Sequence, residues 1–463
     1  MSKKQFLFLI LICILQIILI TGQNLGINVI LFMIPFLLFL FLYLKEKNRI
    51  NNKKGFLLMI PILILSLSYL FYDNTMKYFN VLVIPILTMI MLMEIINPKD
   101  TLEEFIEEGF YMGFKPFDYI GKHLNGTKEI IKELLPKKNK RLQRIKSYLI
   151  VIPIILIVLV LLSSADIVFA SLFKDIVNII NKISIEGIVA RVIQFLLLFL
   201  FLGSTLYYIE KEQINVPKAS SGINLQEFTI KLLLISLNII YFIFIGIQIF
   251  SLGFHKLPSN ITYSEYARTG FFQLMLISSL NILIILLTKK KEERNFIKIL
   301  KLLLIASTYM IIISSFFRMY LYEQRYGYTL LRIGVYLTLV TETILLIPTI
   351  FYVLKKDFKI IRYYVMIPII IYTMINMTSI ESIITKRNID LYDKTKEIDI
   401  EYLMNENCDN IKQLIDFYHR VEDIETKNTL KYYFETFPKE ENLFLDFNIS
   451  KKKAYQLLKE ELK

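Results

Sequence analysis

Tryptophan is absent from this 463-residue chain, cysteine occurs twice and histidine three times. Each shortage excludes something. Cys13 lies in an N-terminal apolar run and Cys408 near the other end, so there is no disulfide framework and no cysteine metal site. His123, His255 and His419 stand apart, without H-E-x-x-H or any other paired metal spacing, and the sequence calls for no metal and no cofactor. The G-x-x-x-x-G-K-[ST] loop of nucleotide-binding proteins is missing as well. Without tryptophan, aromatic belts at a membrane interface have to be built from the 28 Tyr and 35 Phe. Acidic residues are outnumbered, 41 against 54 basic, leaving a formal charge of +13. In a chain of apolar spans that excess sets topology and meets anionic headgroups, so the expected partner is the lipid bilayer and not nucleic acid.

What is abundant is hydrocarbon. Hydrophobic residues make up 55% of the chain, and its mean hydropathy is +0.52. They fall in blocks of roughly 17 to 24, about the length that crosses a ~30 Å hydrocarbon core. The blocks are 5–21, 27–44, 56–72, 78–96, 148–164, 189–208, 228–250, 266–288, 297–320, 330–352 and 363–380. The expected fold is therefore all-α: a polytopic transmembrane helix bundle of about 11 spans with a small helical extramembrane C-terminal segment. Its expected parts are a four-span segment over 1–96, a cytoplasmic amphipathic and basic insert over 97–147, a seven-span core over 148–380 and an extracytoplasmic helical tail over 381–463. The opening MSKK and apolar run resemble a signal peptide, but no small-x-small cleavage site follows, and a retained first span is expected.

Lysine and arginine alternate between the connections. Lys45 to Lys54, the 97–147 insert, Lys289 to Arg294 and Lys355 to Arg362 are rich; residues 23–26 and 73–77 are poor. The positive-inside rule places the rich set and the N-terminus in the cytoplasm of a bacterial cell and the tail outside its cytoplasmic membrane. An extra span over 165–188 would reverse the tail. Leu172, Ile176, Ile179, Ile180 and Ile183 recur there at helical spacing among polar residues, which fits an interfacial helix better. In the insert, Phe105, Ile106, Phe110, Phe114 and Phe117 suggest a helix on the inner surface, and the basic run Lys137 to Lys146 is expected to meet anionic lipids. Helical patterns in the tail fall near 409–421, 425–436 and 450–462.

The most patterned stretch runs from Thr262 to Leu287. Thr262 and Glu265 have capping-box spacing, so a helix is expected to start near Tyr263 and cross the bilayer. Three further stretches look patterned: SSAD at 163–166, RMYLYEQRYGYTLLR at 318–332 and NMTSIESIITKRNID at 376–390. With YSEYARTGFFQL at 263–274 they resemble, in this order, an uncharacterised family of bacterial polytopic membrane proteins of the DUF4173/DUF4153 kind. The resemblance covers about residues 148 to 450, and no family suggests itself for the N-terminal third. It implies many helices and brings no activity.

By the charge argument all four stretches share the outer side. Asp166, Glu265, Tyr266, Arg268, Arg318, Tyr322, Tyr326, Arg332, Asn376 and Glu381 then come within reach of one another if the helices cluster. Each also has a plainer role. Glu265 and Asp166 serve as caps, Arg318 and Arg332 snorkel to the interface, the tyrosines form a belt, and Gly327 turns the chain. Ser307, Ser314, Arg318 and Tyr322 follow helical steps along one span, and Gly334, Thr338, Thr341 and Glu342 along the next. Glu342 lies about 18 Å into its span, where a carboxylate needs a partner; Arg332 and Arg318 are the expected ones.

Three functions remain open. The leading one is a non-enzymatic membrane component that binds a ligand or an envelope partner, a protein or small molecule, at its outer face. The second is a secondary transporter with Glu342 in the pathway. The third is an outer-face transferase using Asp166, Arg318 or His255.

Overall fold

The computed structural model describes residues 1–134, 185–211, 226–248, 270–288, 294–405, 408–437 and 444–462. Among them every regular element is helical. The chain divides into two compact units, one of Met1–Ile50 with Phe110–Ile214 and one of Asn51–Gly109 with Asn215–Lys463.

The first unit is built on α1 (Lys3–Leu19), α2 (Ile27–Glu46), α6 (Ile120–Leu134) and α7 (Ile185–Lys211). Ser2 opens α1 with a full capping box to Gln5, which satisfies two backbone donors that the first turn leaves open. Phe6 of α1 meets Phe199 of α7 edge to face at 6.0 Å. At the same end the Tyr43 hydroxyl donates to the Leu206 carbonyl at 2.8 Å, and the Glu210 carboxylate pairs with Lys47 at 2.8 Å. Helix α5 (Leu102–Phe114) and a short 3-10 turn, Lys115–Tyr119, precede α6.

The second unit holds α3 (Met59–Phe71), α4 (Met76–Ile96), α8 (Glu227–Gln248), α9 (Phe271–Leu287), α10 (Asn295–Tyr326), α11 (Leu330–Leu354) and α12 (Ile361–Asn376). Leu234, Ile285, Leu304, Leu339 and Leu346 are fully buried where α8 to α11 meet, while Phe242 and Met374 are 81% and 68% exposed. An apolar surface of that kind is stable when hydrocarbon surrounds it. Helix α12 is followed, across a 68° bend, by α13 (Ile380–Thr395). Then come the short α14 (Ile400–Met404), α15 (Ile411–Arg420), α16 (Ile424–Thr436) and α17 (Ile449–Glu461). The last three begin and end within two residues of the patterns read from the tail. Ile384, Ile411, Leu414 and Leu430 are fully buried in a separate tail core.

The chain is thus an all-α, multi-pass membrane protein. Seven described helices are long and apolar enough to cross a bilayer, or eight if the bent pair counts as one. The expected eleven included 148–164, which lies outside the described residues. They also included α1 and α9 of 17 residues and α12 of 16, each shorter than a ~20-residue span. The basic run Lys137 to Lys146, expected at the inner surface, and the interfacial helix expected over 165–188 lie outside the described residues as well.

Candidate functional site

In the second unit the α3–α4 turn, the α10–α11 turn, the end of α12 and the tail helices gather at one end. The α10–α11 turn depends on Gly327, whose φ of +76° with ψ of −172° is a backbone region that essentially only glycine occupies. A second positive φ, +97°, lies at Gly270, immediately before α9. There a Cβ would sit 2.6 Å from Nη1 of Arg318, so the absent side chain leaves room for the guanidinium. Arg318 is buried; its Nη2 donates to Oε1 of Gln248 at 3.1 Å, and Ser314 donates to the same oxygen at 2.8 Å.

One turn further along α10, Tyr322 stacks on Phe271 at 6.0 Å and meets Tyr326 at 4.9 Å. Arg332, from the start of α11, lies 4.4 Å over the Tyr322 ring and donates to the carbonyls of Tyr326, at 2.8 Å, and Gly327. A planar guanidinium suits both tasks at once. Asn388 of α13 then fixes the turn: its amide accepts from Tyr328 N and donates to Tyr328 O, both at 2.8 Å. Tyr402 of α14 accepts from Leu330 N at 3.0 Å.

Between the turn and the tail lies a cleft of about 620 Å³. Its lining includes Arg325, Tyr326 and Arg332 from the turn and Asn388, Glu397, Asp399, Glu401 and Tyr402 from the tail. Arg325 and Glu397 face each other across it at 3.8 Å, both largely exposed, so their attraction is screened and weak.

Asn376 and Glu381 belong to a second cluster, where the tail meets the α3–α4 turn. Asn80 donates to Asn376 Oδ1 at 2.8 Å, Asn376 donates to Tyr372 O at 2.9 Å, and the Tyr372 hydroxyl donates to Asn80 Oδ1 at 2.7 Å. Glu381 accepts from Thr75 N at 2.6 Å. Asp73 pairs with Lys77, lies 4.0 Å from Lys451 and accepts from Cys408 N; its own N–H donates to Asp409 at 2.7 Å. Burial disfavours the Asp73 carboxylate, but Lys77, Lys451 and the donated hydrogen bonds outweigh it and hold the group below its ordinary value. Asp409 is raised, chiefly by burial and further by the Asp73 charge. Asn448 caps α17 and also donates to Tyr69 O and Tyr72 O at 2.8 Å each, closing the end of α3.

Glu342 forms a third group, midway along α11. Its carboxylate accepts from the hydroxyls of Ser278 and Ser279 on α9. The expected arginine partners are thereby replaced: Arg318 is turned to Gln248, and Arg332 to the turn carbonyls. Neutral hydroxyls at the same depth reach the carboxylate, whereas both arginines lie near helix ends. Thr338, grouped with Glu342 from the sequence, is exposed and donates back to Gly334 O at 3.0 Å.

The structure therefore brings Arg318, Tyr322, Tyr326 and Arg332 together, puts Asn376 and Glu381 in another cluster, and sets Glu342 apart. Asp166, Glu265, Tyr266, Arg268 and His255 lie outside the described residues, as does the Thr262 capping box; the helix is described from Phe271. Sequence reasoning passed over Gln248, Asn388 and Tyr402. It also missed Glu323, buried on α10 and accepting from the Tyr336 hydroxyl at 2.9 Å. Asp73 and Lys77 carried one signal, their i,i+4 spacing. Asn448 carried another, as an asparagine just ahead of a helical pattern.

No curated protein and no solved structure matches the chain. A family model does, over residues 59–417, beginning far upstream of the stretch in which the likeness was read from motifs. The chain belongs to that family, described as a domain of unknown function (DUF4153).

Proposed function

We propose that this protein is a non-enzymatic membrane component of a bacterial cytoplasmic membrane. Its tail and its α10–α11 turn together bind a small polar ligand or a segment of an envelope partner on the extracytoplasmic side. The observation that carries this reading is the cleft of about 620 Å³ whose opposed walls hold Arg325 and Arg332 against Glu397, Asp399 and Glu401. Such a mixed-charge cleft suits a ligand bearing both signs or a peptide backbone with polar side chains. The lysine-rich ends of the spans support the placement of this side. The test is complementation of a deletion strain by Glu397→Arg and Glu401→Trp, substitutions at exposed cleft residues. Both variants should reach wild-type levels in the membrane and fail to restore the deletion phenotype. Full restoration by both would end this reading.

A second reading rests on Glu342. A buried carboxylate held by two serine hydroxyls in mid-span has the chemistry of a proton carrier. Proton-driven uptake in vesicles that disappears in Glu342→Gln would favour a secondary transporter over the binding component.

A further inference from the structure

The first unit contains a cavity of about 280 Å³ between the start of α1, helix α6 and the end of α7. His123 lines it and is fully buried, with its ring 4.8 Å from that of Phe199. The imidazole packs against Gly203 so closely that any side chain there would collide with it. Among the described residues neither ring nitrogen of His123 has a hydrogen-bond partner, and the buried hydroxyl of Thr127, also in the lining, has none. Buried polar groups are normally satisfied, and here three polar atoms border one cavity. Burial pulls His123 down to about 4, so at neutral pH the ring is uncharged and offers one donor and one acceptor. Tyr207 adds a hydroxyl to the lining, and the charged groups around it are the Met1 ammonium, Lys3, Glu129 and Glu133; Lys3 and Glu133 are paired at 3.1 Å, and the buried Met1 ammonium, 3.5 Å from Glu210, also helps to hold His123 uncharged.

The Met1 ammonium and neutral donors on the inner wall, with carboxylates at the exposed rim, sort charge by position. We propose that the cavity binds a small zwitterion, its anionic group taking the hydrogens of His123, Thr127 and Tyr207 and its ammonium facing Glu129 and Glu133. The volume admits a group the size of phosphoethanolamine or an amino acid, below the ~300–1,000 Å³ of sites for larger ligands. Helix α1 begins at Lys3 and α7 ends at Lys211, beside the cavity. The same chemistry is therefore available from a lipid headgroup or from a free metabolite.

The experiment uses the full chain, purified in detergent and delipidated. In one arm, glycerophosphoethanolamine is titrated calorimetrically. In the other, the chain is placed in phosphatidylglycerol nanodiscs with or without phosphatidylethanolamine, and its thermal unfolding is followed. Saturable binding of the soluble headgroup, weakened tenfold or more in both His123→Phe and Thr127→Val, supports the site and a free zwitterion as sufficient. Stabilisation only by phosphatidylethanolamine, lost in the same variants, supports it with the lipid as source. Both substitutions keep the side-chain volume; should His123→Phe fail to fold, Thr127→Val and Glu133→Gln decide. No response of the folded wild-type chain in either arm, or equal responses of wild type and variants, overturns the proposal.

Discussion

Replacing Asn448 should loosen the tail from the membrane helices by a calculable amount. Its amide donates a buried and a partly buried hydrogen bond of 2.8 Å each to the carbonyls of Tyr69, near the end of α3, and of Tyr72, just after it, and caps α17 by accepting from Lys451 N at 3.0 Å. At about 1 kcal/mol net for each bond and about 1 kcal/mol for the cap, Asn448→Ala should cost about 3 kcal/mol. That is roughly a 150-fold shift toward the undocked tail. Asn448→Ser keeps a capping oxygen but is too short to reach both carbonyls, so it should cost about 2 kcal/mol. Hydrogen exchange of the purified chain reads the difference directly. Amides of α17 should exchange faster in both variants, more in Ala than in Ser, while those in the middle of α10 stay as in wild type. Wild-type protection of α17 in Asn448→Ala would refute the reasoning. So would an equal loss of protection in α10, because the effect would then be global.

Gly327→Ala should destabilise the chain by about 2 kcal/mol in thermal unfolding, because its φ of +76° is retained and a methyl group would collide with the Asn388 side chain. Arg332→Lys should cost about 1 kcal/mol and shift the local exchange of the α10–α11 turn, since an ammonium cannot stack on Tyr322 and reach both turn carbonyls. Acid should act on tail docking in two opposed steps. Asp409 is raised above its ordinary 3.8, so its buried charge opposes docking at neutral pH and the opposition is relieved as pH falls through that raised value. Asp73, lowered from 3.8 by Lys77 and Lys451 against the effect of burial, contributes docking stability that is lost only as pH falls through its depressed value. Protection of α17, its exchange corrected for the intrinsic pH dependence of amides, should thus rise slightly in mild acid and fall in strong acid. Asp409→Asn should abolish the first change and Asp73→Asn the second.

Much of the helical scaffold could be read from periodicity. Blocks such as 27–44 and 330–352 are apolar at bilayer length, and 450–462 shows a clear amphipathic repeat, so local pattern alone determines their state. The count of about eleven spans is not confirmed: α1, α9 and α12 are 17, 17 and 16 residues long, and block 148–164 lies outside the described residues. Hydropathy extends α9 back to residue 266; residues 266–269 lie outside the described residues, and the described helix opens after Gly270, whose φ is +97°. Site residues divided by the range of their partners. That Arg318, Tyr322 and Arg332 lie near one another could be read from the sequence, because helical spacing and a turn glycine place them together. Asn448 and Tyr402 were missed because their partners are more than 70 residues away, and no local rule encodes a tail folding back onto a turn. Glu342 shows a different failure. A search guided by opposite charge passes over Ser278 and Ser279, which satisfy a carboxylate as uncharged donors.

Cross-linking in intact membranes tests most directly whether the α10–α11 turn and the tail form one cleft. Arg325→Cys and Glu397→Cys are combined in a Cys13→Ala, Cys408→Ala background and treated with a short bis-maleimide. The predicted result is an intramolecular bridge that needs both new cysteines, with each single cysteine labelled from the same face by an impermeant maleimide. Failure to bridge, with the two positions labelled from opposite faces, would contradict it.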